Sequence, residues 1–179
     1  MGAAMSSLLR FLGLRSSETA AAEPAETDSV RRIAARLDKL DPQIAKYLAA
    51  FSYVLARVAH ADLEIDEAET NKMQEIVQEV GRLSEEEAVL VVEIAKSQTR
   101  VLGGTENYVV TREFRRVSTP EQRGRLLECL YAVAAADGSI STVEAQEIRS
   151  IAEELGLSRE EANSLRSRYR DQLSVFQKS

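Results

Sequence analysis

The 179-residue sequence has no tryptophan, one cysteine (Cys129), one histidine (His60) and only three prolines. A lone cysteine excludes an intrachain disulfide framework, and one Cys with one His cannot furnish a nitrogen–sulfur zinc site. The same scarcity argues against a Cys–His nucleophilic pair. Cys129 stands inside the apolar run LLECLYAVAAAD, where a thiol serves as a small buried hydrophobe. Positive charge is also short: 23 basic against 29 acidic residues leave a net charge of −6, the wrong sign for neutralising a phosphate backbone, so nucleic acid is not an expected partner. Long apolar runs are missing too. The N-terminal group Leu8, Leu9, Phe11, Leu12 and Leu14 is interrupted by Arg10 and followed by Arg15, which suits neither a membrane span nor a secretory signal. The expected location is therefore cytoplasmic. Peripheral contact of this segment with the inner face of a membrane is a second reading, and a mobile tail the plainer one. Gly2 and Ser6 also satisfy the permissive N-myristoylation pattern.

What is present is enough apolar material, 44% of residues, for one core. Residues 1–27 read as a short amphipathic segment followed by the small, acidic linker SSETAAAEPAET, and residues 28–179 as the folded domain. Asp41-Pro42 marks a helix start, and Ile44, Leu48, Phe51, Leu55 and Val58 then recur at helical spacing. Comparable stripes occur at Met73–Val80 and Ile148–Leu155, and at Ala162, Leu165, Tyr169, Leu173 and Phe176. The run AVLVVEIA (88–95) could be a buried strand by pattern. Its leader Ser84-Glu85-Glu86-Glu87 decides for a central helix, because it supplies an N-cap and a capping-box Glu. Gly103-Gly104 reads as a hinge, Val109–Val117 as a short helix, and Ser118-Thr119-Pro120 as the start of the next.

A constant shift of 75 residues lays 51–81 on 126–156. It pairs Asp62 with Asp137, Ile65 with Ile140, Asp66 with Ser141, Glu69 with Glu144, Ile76 with Ile151 and Gly81 with Gly156. Each copy is a helix, an acidic turn and a second helix closed by Gly at its C′ position. The chain is thus expected to be all-α, a helix bundle. Two hairpin repeats, about 42–81 and 120–156, are expected to be related by a pseudo-twofold axis.

The string AADGSISTVEAQEIRSIAEELGLS, with its weaker first copy HADLEIDEAETNKMQEIVQEVG, resembles the TerB family of tellurite-resistance proteins. It is also similar to the N-terminal domain of membrane-anchored DnaJ-like co-chaperones. The resemblance implies an all-α bundle of about seven helices with internal pseudo-symmetry, and a bacterial, non-enzymatic stress-response module that works through protein partners, including membrane proteins of the TerC type. It also implies acidic turns that bind a divalent cation, often suggested to be calcium. Leu63 departs from the pattern, standing where Gly occurs in the second copy.

The candidate metal ligands are Asp62, Glu64, Asp66 and Glu69 in the first turn and Asp137, Ser139, Ser141 and Glu144 in the second. Alternate positions in an extended turn direct oxygens to one side, as calcium or magnesium requires, although the closing Glu falls at the eighth position rather than the twelfth of an EF-hand. The competing reading needs no metal: Asp66-Glu67-Ala68-Glu69 and Ser141-Thr142-Val143-Glu144 are both capping boxes. His60, beside the first turn, reads as a half-buried helix-end residue. Arg112, Arg115, Arg116, Arg123 and Arg125 form a basic cluster, read chiefly as a solvated face paired with Glu113, Glu121 and Glu128. A metal-dependent hydrolase built on the clustered carboxylates and a purely structural scaffold are the alternatives to the interaction module.

Overall fold

The computed structural model describes residues 24–59, 66–98 and 107–177, and within them the chain is all-helical. Eight α-helices are present among the described residues. They are α1 (Pro24–Asp38), α2 (Pro42–Ala59), α3 (Glu67–Glu79), α4 (Glu85–Gln98), α5 (Asn107–Val117), α6 (Pro120–Ala134), α7 (Thr142–Glu154) and α8 (Arg159–Arg168). Two 3-10 turns, Arg170–Gln172 and Ser174–Phe176, complete the chain. Helix α1 begins at Pro24, a few residues inside the stretch that composition marks as linker. His60, the first-turn residues up to Ile65, Gly103-Gly104 and the N-terminal apolar group lie outside the described residues.

Start signals behave as their chemistry dictates. Asp41 accepts from Gln43 N–H (2.8 Å) with Pro42 in the first helical position. Capping boxes close the starts of α3, α6, α7 and α8, with Asp66, Thr119, Ser141 and Ser158 as N-caps. The predicted Ser84/Glu87 pair exchanges the same two bonds at the start of α4 (2.8 and 3.2 Å).

Helix α2 is the axis of the bundle. Ala49 through Ala56 are buried without interruption, because α4, α5, α6 and α7 all pack around it. Ile44, at its exposed start, drops out of the predicted stripe at 44% exposure. The ambiguous 88–95 run is helical, with Ala88, Leu90, Val91, Val92, Ile94 and Ala95 all buried. It packs against α1, α2 and α3. Between the two repeats the contacts are reciprocal: α2 touches α7, and α3 touches α6.

Two expectations are corrected. The C-terminal stripe is not one helix: α8 stops at Arg168, and Phe176 is half exposed. The reason is a competing partner for the backbone. Ile140 N–H donates to Gln172 O (2.7 Å) and Ser174 N–H donates to Ile140 O (2.9 Å), an isolated parallel bridge between Ile140 and Leu173 that a continuing helix could not make. The two repeat-closing glycines also differ. Gly156 is left-handed (φ +74°) and its follower Leu157 donates back to Ala152 O, a Schellman closure. After α3 it is Arg82 that takes the positive φ (59°). Gly81 serves for space instead, since a Cβ there would lie 2.3 Å from Val77 O and 3.2 Å from Cys129 Sγ.

Candidate functional site

Of the eight predicted ligands, Asp62 and Glu64 lie outside the described residues. Of the other six, Asp66, Glu69, Ser141 and Glu144 fall on two helix starts, and Asp137 and Ser139 in the turn between α6 and α7. At α3, Asp66 has extended backbone (φ −75°, ψ 178°), which aims its carboxylate along the first helical turn. Asp66 Oδ1 accepts from Glu69 N–H (2.8 Å) and Glu69 Oε2 accepts from Asp66 N–H (3.0 Å). Thr70 Oγ1 donates to Asp66 O (2.7 Å), and Lys96 from α4 donates to Thr70 Oγ1 (2.9 Å), bringing an ammonium group to the first turn of α3. Both carboxylates are exposed and each has one oxygen that accepts no hydrogen bond among the described residues.

The N-cap of α7 has the same extended backbone as Asp66 (Ser141 φ −65°, ψ 160°) and different chemistry. Ser141 caps α7, accepting from Glu144 N–H (3.2 Å), while Glu144 Oε2 accepts from Ser141 N–H (2.8 Å). Asp137 Oδ1 accepts from Ser139 N–H (3.1 Å), which fixes the turn in which Gly138 adopts φ +96°. The structure therefore joins Asp137 with Ser139 and Ser141 with Glu144, each pair through a local turn or cap. Among the described residues no three His, Cys, Asp or Glu side chains gather closely enough to hold a metal ion.

Two features here escape sequence reasoning. The C-terminal residues form a strap across the second turn: besides the Ile140–Leu173 bridge, Gln177 Nε2 donates to Gly138 O (2.9 Å). Nothing in the helical periodicity of 162–176 signals this. The second is Arg57, whose side chain is only 5% exposed. It donates through Nε to Glu147 (2.8 Å), through Nη1 to Glu154 and Thr111 (both 2.7 Å) and through Nη2 to Glu154 (3.3 Å). Burial pulls the guanidinium pKa down, but hydrogen bonds and charge from Glu154 and Glu147 outweigh it and hold the pKa above its usual value. A lone Arg in the apolar run FSYVLARVA was the available signal.

The thiol of Cys129 is fully buried, and burial, aided by the charge of Glu128, pushes its pKa up to about 12. It is a packing residue, as its sequence surroundings predict. The basic cluster is only partly the self-paired face expected. Arg116 pairs with Glu113 (3.0 Å), but Glu128 is taken by Arg168 (2.8 Å). Arg123 donates to Ser118 O (3.1 Å), and the Arg115 guanidinium lies over Gly156.

Compared with known proteins, the chain matches the family model described as tellurite resistance protein TerB over residues 47–167. The match starts within α2 and ends within α8, leaving α1 and the C-terminal strap outside it. No curated protein and no solved structure matches the chain. No helix among the described residues is long and apolar enough to cross a membrane.

Proposed function

The chain belongs to the TerB family of tellurite-resistance proteins, and from that membership we propose that it is a non-catalytic interaction module of a bacterial stress response. Its first acidic turn binds a divalent cation, calcium or magnesium, and its helical surface docks a partner protein, a membrane protein of the TerC type being the family's suggestion. The second turn is structural.

The observation that carries the difference between the turns is the capping box at α3. It spends one oxygen of Asp66 and one of Glu69 on backbone N–H groups and leaves the other oxygen of each without a donor among the described residues. Two carboxylates held side by side repel one another unless a cation screens them. At the second turn Ser141 replaces the aspartate, so the cap persists while the charge pair is lost. Hard cations take such oxygens together with water and backbone carbonyls. Asp62 and Glu64 are the further donors proposed from the sequence.

A terbium-luminescence titration separates capping from cation binding. Asp66→Ser copies the second turn into the first and keeps a good N-cap, so its melting temperature should stay near that of the wild type. The proposal expects saturable luminescence from the wild type, about tenfold weaker binding in Asp66→Ser, and tighter binding in Lys96→Met, where the competing ammonium is gone. Equal affinity in all three would overturn it.

A further inference from the structure

Helices α7 and α8 and the C-terminal strap enclose an open cleft of about 400 Å³ that reaches the start of α7 at Ser141 and Thr142. Its floor is aliphatic and closed: Ile140, Ala152 and Leu173 are each at most 2% exposed, with Leu157 and Ala162 half-buried beside them. The single ring in the lining, Tyr131, is stacked on Tyr169 (centroids 5.5 Å apart, planes at 14°) and so has one face already covered. An aliphatic body therefore fits this floor better than a flat aromatic one.

The charge at the mouth runs against that of the molecule. In a chain of net charge −6, the ionisable residues lining the cleft besides Tyr131 are Arg149, Arg159 and Arg166 against Glu153 alone. Glu153 is loosely engaged by Arg149 at 3.7 Å. Arg159 and Arg166 make no ion pair among the described residues. Arg166 sits close enough to Tyr131 to oppose the rise that burial imposes on the phenol pKa. Guanidinium groups pair with carboxylates through parallel N–H donors, and this volume is that of a small-molecule site rather than of a groove for a protein helix. The walls supplied by α7 and α8 lie within the family match and the wall supplied by the strap outside it.

We propose that this cleft binds a linear aliphatic carboxylate, its tail over the closed floor against the accessible side chains of Ala145, Leu157, Ala162 and Val175 and its head among Arg149, Arg159 and Arg166. The inference is independent of the cation reading, since it uses other residues and the opposite charge.

The test is an NMR titration of the full chain with dodecanoate below its micellar range. Parallel arms use dodecyltrimethylammonium, the same tail with a cationic head, and phosphatidylglycerol vesicles. Saturable shifts at the amides of Ile140, Ala162 and Leu173 are expected with dodecanoate, and at least about tenfold weaker binding of the cationic amphiphile. The doubly reversed variant Arg159→Glu/Arg166→Glu changes two exposed side chains, and its unperturbed shifts elsewhere report that it folds. It should bind dodecanoate at least about tenfold more weakly. Four results would overturn the proposal: no saturation, equal binding of both head groups, a response to vesicles alone, or cleft signals that move with protein concentration in the absence of ligand. The last would assign the cleft to a second copy of the chain.

Discussion

Arg57 of α2 and Glu154 of α7, 97 residues apart, meet in a two-pronged ion pair at 2.7 and 3.3 Å that ties the first repeat to the second. Glu147 and Thr111 complete the surroundings of the same guanidinium, so three helices are fixed at one point. Its counterpart under the 75-residue shift is Ala132. The contact thus distinguishes the two repeats rather than repeating in both.

Truncating this arginine removes the counter-charge from two carboxylates already half-removed from water. Breaking a buried pair on one side costs about 3–5 kcal/mol. Because Glu147 and Glu154 keep some exposure (34% and 18%), the lower end, about 3 kcal/mol, is expected for Arg57→Met in urea denaturation. Arg57→Lys should recover less than half, since an ammonium cannot reproduce the fork on Glu154 while also reaching Glu147 and Thr111.

Stability should be level through neutral pH and fall in alkali. Cys129 and Tyr47 are both pushed up to about 12 in the folded chain, from 9.0 and 10.0, chiefly by burial. A raised pKa in the folded state means the stabilisation is complete below the unfolded value and is lost as pH rises toward the folded one. The decline therefore begins near pH 9, set by the thiol. Val54 occupies the position equivalent to Cys129 in the first repeat, and Cys129→Val should delay the onset to near pH 10, where the tyrosines take over. Chemical denaturation between pH 7 and 11 would show the shift.

Gly81 and Gly156 occupy matched sequence positions but should respond differently to alanine. At Gly156 the new Cβ meets the Arg115 guanidinium at 2.5 Å, a flexible group, and the remaining cost is the left-handed backbone, about 1 kcal/mol. Adding Arg115→Ala should recover part of the loss. At Gly81 the nearest atom is Val77 O, which is backbone, so pairing Gly81→Ala with Cys129→Ala should recover little. A double-mutant cycle measured by thermal denaturation distinguishes the two cases.

Much of this architecture is legible in the sequence because local signals agree. Asp41-Pro42, Ser84/Glu87 and Thr119-Pro120 mark helix starts through bonds that span three residues or fewer, and the structure makes them. The duplicated caps at Asp66 and Ser141 are legible for the same reason. What is not legible is long-range. The periodicity of Ala162 to Phe176 continues a helical pattern, yet Ile140 captures the backbone of Gln172 and Ser174, and tertiary hydrogen bonds override the local preference. Arg57 could be singled out as an isolated charge, but not its partners at Glu147 and Glu154. The glycine signal is ambiguous by nature, since the same residue answers to positive φ at Gly156 and to lack of space at Gly81.

The strap should govern how rigid the second turn is. Leu173 is 2% exposed, and its side chain anchors the segment whose neighbours Gln172 O and Ser174 N–H bond to Ile140. Replacing it with alanine deletes buried carbon and leaves a cavity, a loss of about 2–4 kcal/mol if the site cannot collapse. It can collapse in part, because besides this residue the strap is held by its two backbone bonds to Ile140 and the Gln177–Gly138 bond, which a shift of the segment can preserve. Leu173→Ala is therefore expected near the low end of that range. Its clearer signature is local: amide exchange at Ile140 and Ser174 should accelerate by well over tenfold, while exchange in α2 follows only the global loss. Uniform acceleration across the chain would instead mean that strap and bundle unfold as one unit.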